Sequence, residues 1–174
     1  MVKSFLPAVC AILVLGCGVA DAAKNDSSPR RTGTFGKWTT YVMKQDGKKV
    51  CYMVSRPTKS QGKYKKRGQV YAMIAHRPAE SSYNVISLHA GYGFSAGATV
   101  KATVGGEKFE LFTEGETAWA PNELDKAITM AITKGSTMKI DGVSSRGTKT
   151  HDVFSLKGST RAWKEINKQC GIKG

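Results

Sequence analysis

Hydrophobic and polar positions along this chain alternate in short runs that turn signals interrupt. Residues 38–43, Trp-Thr-Thr-Tyr-Val-Met, are aromatic and β-branched, and Asp46-Gly47 follows as a hairpin turn before residues 50–54 return as a second strand. Strand composition recurs over residues 69–75, closed by Arg77-Pro78, and over residues 83–89. Residues 99–104 and 108–112 flank Gly105-Gly106 and read as another tight hairpin, while residues 138–140 and 152–156 supply two more strands. Helical spacing is confined to two late segments. In residues 123–134, opened by Pro121 or Asn122, Leu124, Ala127, Ile128 and Ala131 share a face and Gly135 is a suitable stop. In residues 160–169, Ser159 is placed to cap, Ala162, Trp163 and Ile166 share a face, and Gly171 ends the run. Many short strands with glycine turns and few helices predict a mainly β chain, a sandwich or barrel with a short internal helix and a C-terminal helix.

The N-terminus follows different rules. Lys3 precedes residues 5–19, which are nearly all apolar and uncharged, and Ala20-Asp21-Ala22 is a small-x-small site. Residues 1–22 therefore read as a secretory signal cleaved before Ala23, the apolar run of about 15 residues being short of the roughly 20 that span a membrane. Two alternatives stay open: an uncleaved anchor, and a lipoprotein lipidated at Cys17 in Val14-Leu15-Gly16-Cys17. Removing residues 1–22 from the 174 leaves 152, the size of one domain. Residues 23–36 show no apolar periodicity and are expected to be a flexible lead to a domain over residues 37–174.

Export changes the reading of cysteine and charge. Cys10 and Cys17 lie in the signal, which leaves Cys51 and Cys170, 119 positions apart. In an oxidising compartment such a pair is expected to form one disulfide, fastening the C-terminal helix to the second strand. The formal charge is +14, and the signal's one Lys and one Asp cancel, so the mature chain keeps it. A field of this sign favours an anionic partner. After export that means lipopolysaccharide, phospholipid headgroups reached by peripheral membrane contact, or a sulfated or sialylated glycan, and not nucleic acid. Residues 56–68 interrupt the strand pattern with six cations, Arg56, Lys59, Lys63, Lys65, Lys66 and Arg67, and no acid. Within this loop Lys63, Tyr64, Lys65, Lys66 and Arg67 form the candidate anion-binding site, the cations meeting phosphate or sulfate and Tyr64 packing on a sugar or lipid edge.

No catalytic, cofactor-binding or metal-binding residue is assigned. Gly93-Phe94-Ser95-Ala96-Gly97 matches the nucleophile-elbow pattern, but that elbow needs a helix after the serine, and the sequence there is strand-like. His76, His89 and His151 have no second ligand at metal spacing, and no carboxylate pair or phosphate-binding loop is visible.

An ordered set of short motifs runs through the domain: Lys49-Val50-Cys51-Tyr52, Arg67-Gly68-Gln69-Val70-Tyr71, His76-Arg77-Pro78-Ala79-Glu80, Ala90-Gly91-Tyr92, Thr117-Ala118-Trp119-Ala120, Ser144-Ser145-Arg146-Gly147-Thr148, Phe154-Ser155-Leu156-Lys157-Gly158 and Cys170-Gly171. With Trp38 ahead of them, they resemble the invasion-associated locus B protein family of Gram-negative bacteria over roughly residues 38–171. The resemblance implies an exported envelope protein, and the reading favoured for this chain is a non-enzymatic protein of the periplasm or cell envelope, with secretion or surface exposure as the alternative location. The resemblance also implies an immunoglobulin-like β-sandwich and, for the pathogen members, a part in host-cell invasion. It carries no catalytic residues across. The alternatives at this stage are a structural or stress-protective periplasmic protein without a specific ligand, and an uncharacterised hydrolase.

Overall fold

A computed structural model describes residues 28–173; the expected signal peptide, its cleavage before Ala23 and the lipidation alternative at Cys17 lie outside the described residues. Eleven strands and two helices follow one another as β1 (Arg30–Phe35), β2 (Trp38–Gln45), β3 (Lys48–Ser55), β4 (Lys59–Gly62), β5 (Tyr71–Arg77), β6 (Ser82–His89), β7 (Thr99–Val104), β8 (Glu107–Glu114), β9 (Thr117–Trp119), α1 (Asn122–Lys134), β10 (Thr137–Val143), β11 (Lys149–Ser155) and α2 (Ser159–Cys170). The mainly β architecture with an internal and a C-terminal helix is the expected one. All strands are antiparallel and join one hydrogen-bonded sheet in the order β1-β2-β3-β5-β6-β9-β8-β7-β10-β11-β4.

The sheet doubles over, so its two halves face each other as the layers of a sandwich do. Leu88 and Ala118 from one half meet Val100, Ile140 and Phe154 from the other around a residual cavity of only about 10 Å³. Strand alternation explains which side chains enter. Trp38 and Thr40 of β2, Met53 of β3, and Ala72 and Ile74 of β5 are buried on the inner face, while Thr39, Tyr41, Tyr52 and Met73 between them stay half-exposed.

Three strands escaped the sequence. Arg30–Phe35, expected within the flexible lead, is β1, and its irregular register against β2 places Arg31 opposite Tyr41 and Gly33 opposite Thr40. Its residues carry no apolar face to signal a strand, because β2 supplies the hydrogen bonds and little side-chain burial is needed. β4 is wholly exposed and lies within the expected basic loop, held by β11. β9 has only three residues, bridging β6 and β8. The face of α1 is also rotated from expectation: Asp125, Ile128, Thr129 and Ile132 are buried and Ala127 is exposed. Asp125 turns inward because its Oδ1 accepts the Ile86 N–H at 2.9 Å.

The C-terminal helix is docked by polar groups as well as apolar ones. Ala162 and Ile166 are fully buried. Ser159, expected as the cap, instead donates its hydroxyl to the Ile132 carbonyl at the end of α1, 2.9 Å away. Trp163 Nε1 donates to Asn84 Oδ1 at 2.9 Å. His76, wholly buried, accepts the Asn84 backbone N–H at Nδ1, so its proton sits on Nε2 and is donated to Asn167 Oδ1 at 2.8 Å. Cys51 and Cys170 are joined, their Cα atoms 5.9 Å apart. Because β1 adds a strand ahead of it, the strand bearing Cys51 is the third, flanked on both sides by β2 and β5.

Two buried groups give stability opposite slopes with pH. Burial lowers the pKa of His76 below its ordinary 6.5. The unfolded imidazole therefore takes a proton that the folded one refuses, and His76 makes stability fall as pH drops from about 6.5 through the folded value. Burial raises Asp125 from 3.8 to about 6, with Glu123 adding to the rise against the Ile86 bond. Between those values the folded carboxyl keeps a proton the unfolded chain has released, so Asp125 makes stability fall as pH rises through that window. Asp125→Asn keeps an oxygen acceptor and removes the titration, so it should gain on the unaltered protein between pH 4 and pH 7. Urea unfolding at the two pH values checks this; an unchanged difference would place Asp125 ionised in the fold.

Candidate anion-binding cleft

The segment after β4 reaches its position through an ion pair that crosses the fold. Arg67 Nη1 and Nη2 donate to Asp152 Oδ1 and Oδ2 at 2.9 and 2.6 Å, and Arg67 Nε donates to the Ala90 carbonyl at 2.7 Å. Both side chains are nearly inaccessible, at 5% and 3% exposure. The guanidinium also lies 5.4 Å from the centre of the Tyr64 ring and 5.0 Å from that of Tyr92, a spacing at which aromatic faces attract a cation. Burial alone would weaken its hold on the proton, but the bonds to Asp152 outweigh this and leave the pKa raised. Arg67, expected among the anion-binding cations, therefore has its charge answered inside the protein. It fastens the loop to β11, and Tyr64 packs against it and is only half-exposed.

Glycine lets the loop come close. Gly68 N–H bonds the Gly91 carbonyl at 2.8 Å. A Cβ on Gly91, whose φ is +70°, would fall 2.6 Å from the Gly68 backbone, so any side chain there would push the two segments apart. Tyr92, next along, bonds Thr150 Oγ1 through its hydroxyl at 2.7 Å, and burial raises its pKa.

These anchors leave a cleft of about 620 Å³ between residues 63–68 and the turn joining β10 to β11, with Tyr92 in its lining. That turn is closed by Ser144, whose N–H bonds the Thr148 carbonyl and whose hydroxyl accepts the N–H groups of Arg146 and Thr148. Ser145 N–H bonds the Gly93 carbonyl at 2.8 Å, which seats the turn on the glycine-rich loop. Arg146 is left exposed across the cleft from Lys63, Lys65 and Lys66, which are exposed too. Among the described residues no carboxylate pairs with these four cations, and Glu116 is the lone acid of the lining, engaged with His89 at 3.3 Å. Hydroxyls of Ser145 and Thr148 line the same space. The arrangement suits an anion with several oxygens, held by long-range attraction and positioned by donors.

The expected lysines thus lie together, whereas Arg146, Ser144 and Tyr92 were not among the expected site residues. A basic loop is visible in a sequence, but a single arginine about 80 positions downstream is not. Ser95 lies in a turn closed by the Ala98 N–H and followed by β7, so the strand expected after Gly97 is there and an elbow helix is not. His89 stacks on Tyr71 at 4.9 Å, and His151 bonds Asp141 at 2.7 Å across β10 and β11.

A protein-family model described as Invasion associated locus B (IalB) protein matches residues 38–167. Among solved structures, the crystal structure of invasion associated protein b from Bartonella henselae resembles this one with a TM-score of 0.58 at 18% sequence identity, covering 80% of this chain and 96% of that chain. At that identity the likeness concerns the fold alone. No curated protein matches the chain.

Proposed function

This chain belongs to the Invasion associated locus B (IalB) protein family, and from that premise we propose that it is an exported, non-enzymatic protein of the periplasm or cell envelope that binds an anionic envelope or host-surface component in the cleft of Lys63, Lys65, Lys66 and Arg146. The observation that carries the proposal is the charge imbalance of the cleft: four exposed cations that no carboxylate among the described residues pairs with, beside an arginine already neutralised by Asp152. Export is supported by the apolar N-terminal run with its small-x-small site, and by the Cys51–Cys170 disulfide, which persists in oxidising compartments. No helix among the described residues is long and apolar enough to cross a membrane. The family's name associates its members with invasion, and a ligand on a host surface would join that association to the cleft.

Lipopolysaccharide, anionic phospholipid and sulfated glycan present the same chemistry, clustered oxyanions. A pull-down from envelope fractions, repeated with heparin beads, separates these sources. Capture is expected in low salt and should weaken in high salt, because exposed charges are screened over about 8 Å at physiological ionic strength. Lys63→Ser, Lys65→Ser and Lys66→Ser together should abolish capture in low salt while Arg67, kept intact, holds the loop. Capture that survives both high salt and the triple substitution would contradict the proposal.

A further inference from the structure

The outer face of β2, β3 and β5 carries a second groove, of about 890 Å³, that shares no lining residue with the cleft. A strand with one face on a core normally turns polar side chains to water on the other. Here, between the polar Thr39 and Gln45 at the ends of the β2 row, the outward positions hold Tyr41 and Met43 of β2, Tyr52 and Val54 of β3, and Tyr71 and Met73 of β5, all six half-exposed. Register sets them side by side, with Tyr41 opposite Tyr52 and Val54 opposite Met73. The Tyr41 and Tyr52 rings stack at 5.2 Å and 17°, forming a flat floor. Burial raises the pKa of Tyr52, and Tyr41 and Tyr71 beside it add to the rise. α2 covers the inner face of these strands, and no described element covers the outer one.

Charge around the groove has one sign. Lys37, Arg56 and Arg77 line it, and among the described residues no aspartate or glutamate does. Arg77 is engaged with Glu80 at 3.9 Å, and the Arg56 guanidinium, among the described residues, bonds the neutral Gln69 amide oxygen at 3.0 Å. Lys37 and Arg56 lie at the same end of the groove, because Trp38 stands opposite Ser55. The wall there is fixed where Thr58 N–H and its hydroxyl both reach the Val153 carbonyl.

We propose that this groove binds one molecule of a single-chain anionic amphiphile, of the fatty-acid type, its chain lying on Tyr41, Tyr52, Val54 and Met73 and its head at Lys37 and Arg56. The volume is that of a small-ligand pocket, and an apolar lining with a few placed charges is how such pockets recognise their ligands. A neutral sugar would leave the charges of Lys37 and Arg56 unanswered, whereas an anionic head meets them. From Lys37 to Gln45 the strand runs about 26 Å at roughly 3.3 Å per residue, long enough to lay out an extended acyl chain.

The test is titration of the full mature protein with hexadecanoate, read by native mass spectrometry and by tyrosine fluorescence. One equivalent should bind. Met73→Glu, which sets a like charge on the floor, should weaken binding by about tenfold or more, and Tyr52→Ala serves the same purpose should that variant not fold. Lys37→Gln with Arg56→Gln should weaken hexadecanoate several-fold and leave the uncharged hexadecyl maltoside unaffected, whereas Lys63→Ser, Lys65→Ser and Lys66→Ser should change neither. Loss of anion binding at the cleft would leave these results intact, so the two sites fail separately. Equal affinity for the uncharged amphiphile, unchanged binding in both floor variants, or a concentration-dependent dimer that Met73→Glu dissolves would overturn the proposal, the last by making a second copy the occupant.

Discussion

Asp152→Ala is expected to lower the unfolding free energy by roughly 3–5 kcal/mol, because it leaves the Arg67 guanidinium buried without its counter-charge. Two hydrogen bonds at 2.9 and 2.6 Å end at Asp152, and the arginine it holds is 5% exposed. What remains to Arg67 after the substitution is the Ala90 carbonyl and two aromatic rings, which do not neutralise a cation in so dry a place. The double substitution Arg67→Met with Asp152→Leu removes both charges and should recover most of the loss, since a buried ion pair exchanged for apolar side chains is often neutral or better. Urea unfolding of the two proteins measures the difference. Should Asp152→Ala cost no more than an exposed pair, about 1 kcal/mol or less, Arg67 must have another way out to water. The single substitution should also cut anion binding although it removes a negative charge, because the segment carrying Lys63, Lys65 and Lys66 is fastened through Arg67.

Cys51→Ala is expected to cost roughly 2–5 kcal/mol, the bond closing a loop of 119 positions and so restricting the unfolded chain strongly. The loss should not fall evenly on α2. Ser159, Trp163 and Asn167 each bond a group outside the helix, so the first two turns stay docked. Beyond Asn167 the described ties are local: Gln169 to Glu165, and the cap in which the Ile172 N–H returns to the Asn167 carbonyl. Hydrogen exchange of the reduced or substituted protein should therefore rise in residues 168–172 before it rises at residue 162 or 166. Exchange that rises along the whole helix at once would make the disulfide the main dock of α2.

The parts of this fold that were legible in the sequence are those whose burial repeats. β2 and β3 alternate over much of their length, β5 alternates until Ile74 and β6 buries Ile86, Ser87 and Leu88 in a row, yet the centres of all four fall within a residue or two of where the pattern puts them. Helix α2 shows its apolar face through Ala162 and Ile166. β1 and β4 draw on partners far away in sequence, Arg30–Phe35 on β2 and Lys59–Gly62 on β11, and their own side chains carry no trace of the pairing. The basic cleft was half legible for the same reason. Charge marks Lys63, Lys65 and Lys66, but nothing in the sequence tells that Arg67 meets a carboxylate 85 positions on and leaves the set of free cations. The apolar face of the second groove had a signal in plain view: Tyr41 and Met43, Tyr52 and Val54, Tyr71 and Met73 sit at outward positions of three strands whose inward positions already include Trp38, Met53, Ala72 and Ile74.

The cleft is tested most directly by the affinity of the mature protein for vesicles of anionic phospholipid in low salt, measured beside a variant with Lys63→Ser, Lys65→Ser, Lys66→Ser and Arg146→Ser. Each cation near an anionic surface contributes roughly 1 kcal/mol, so the variant should bind at least about a hundredfold more weakly. Its thermal unfolding should match that of the unaltered protein, because none of the four side chains is buried. Equal affinity of the two proteins, with both folded, would contradict the assignment of this cleft as the anion-binding site.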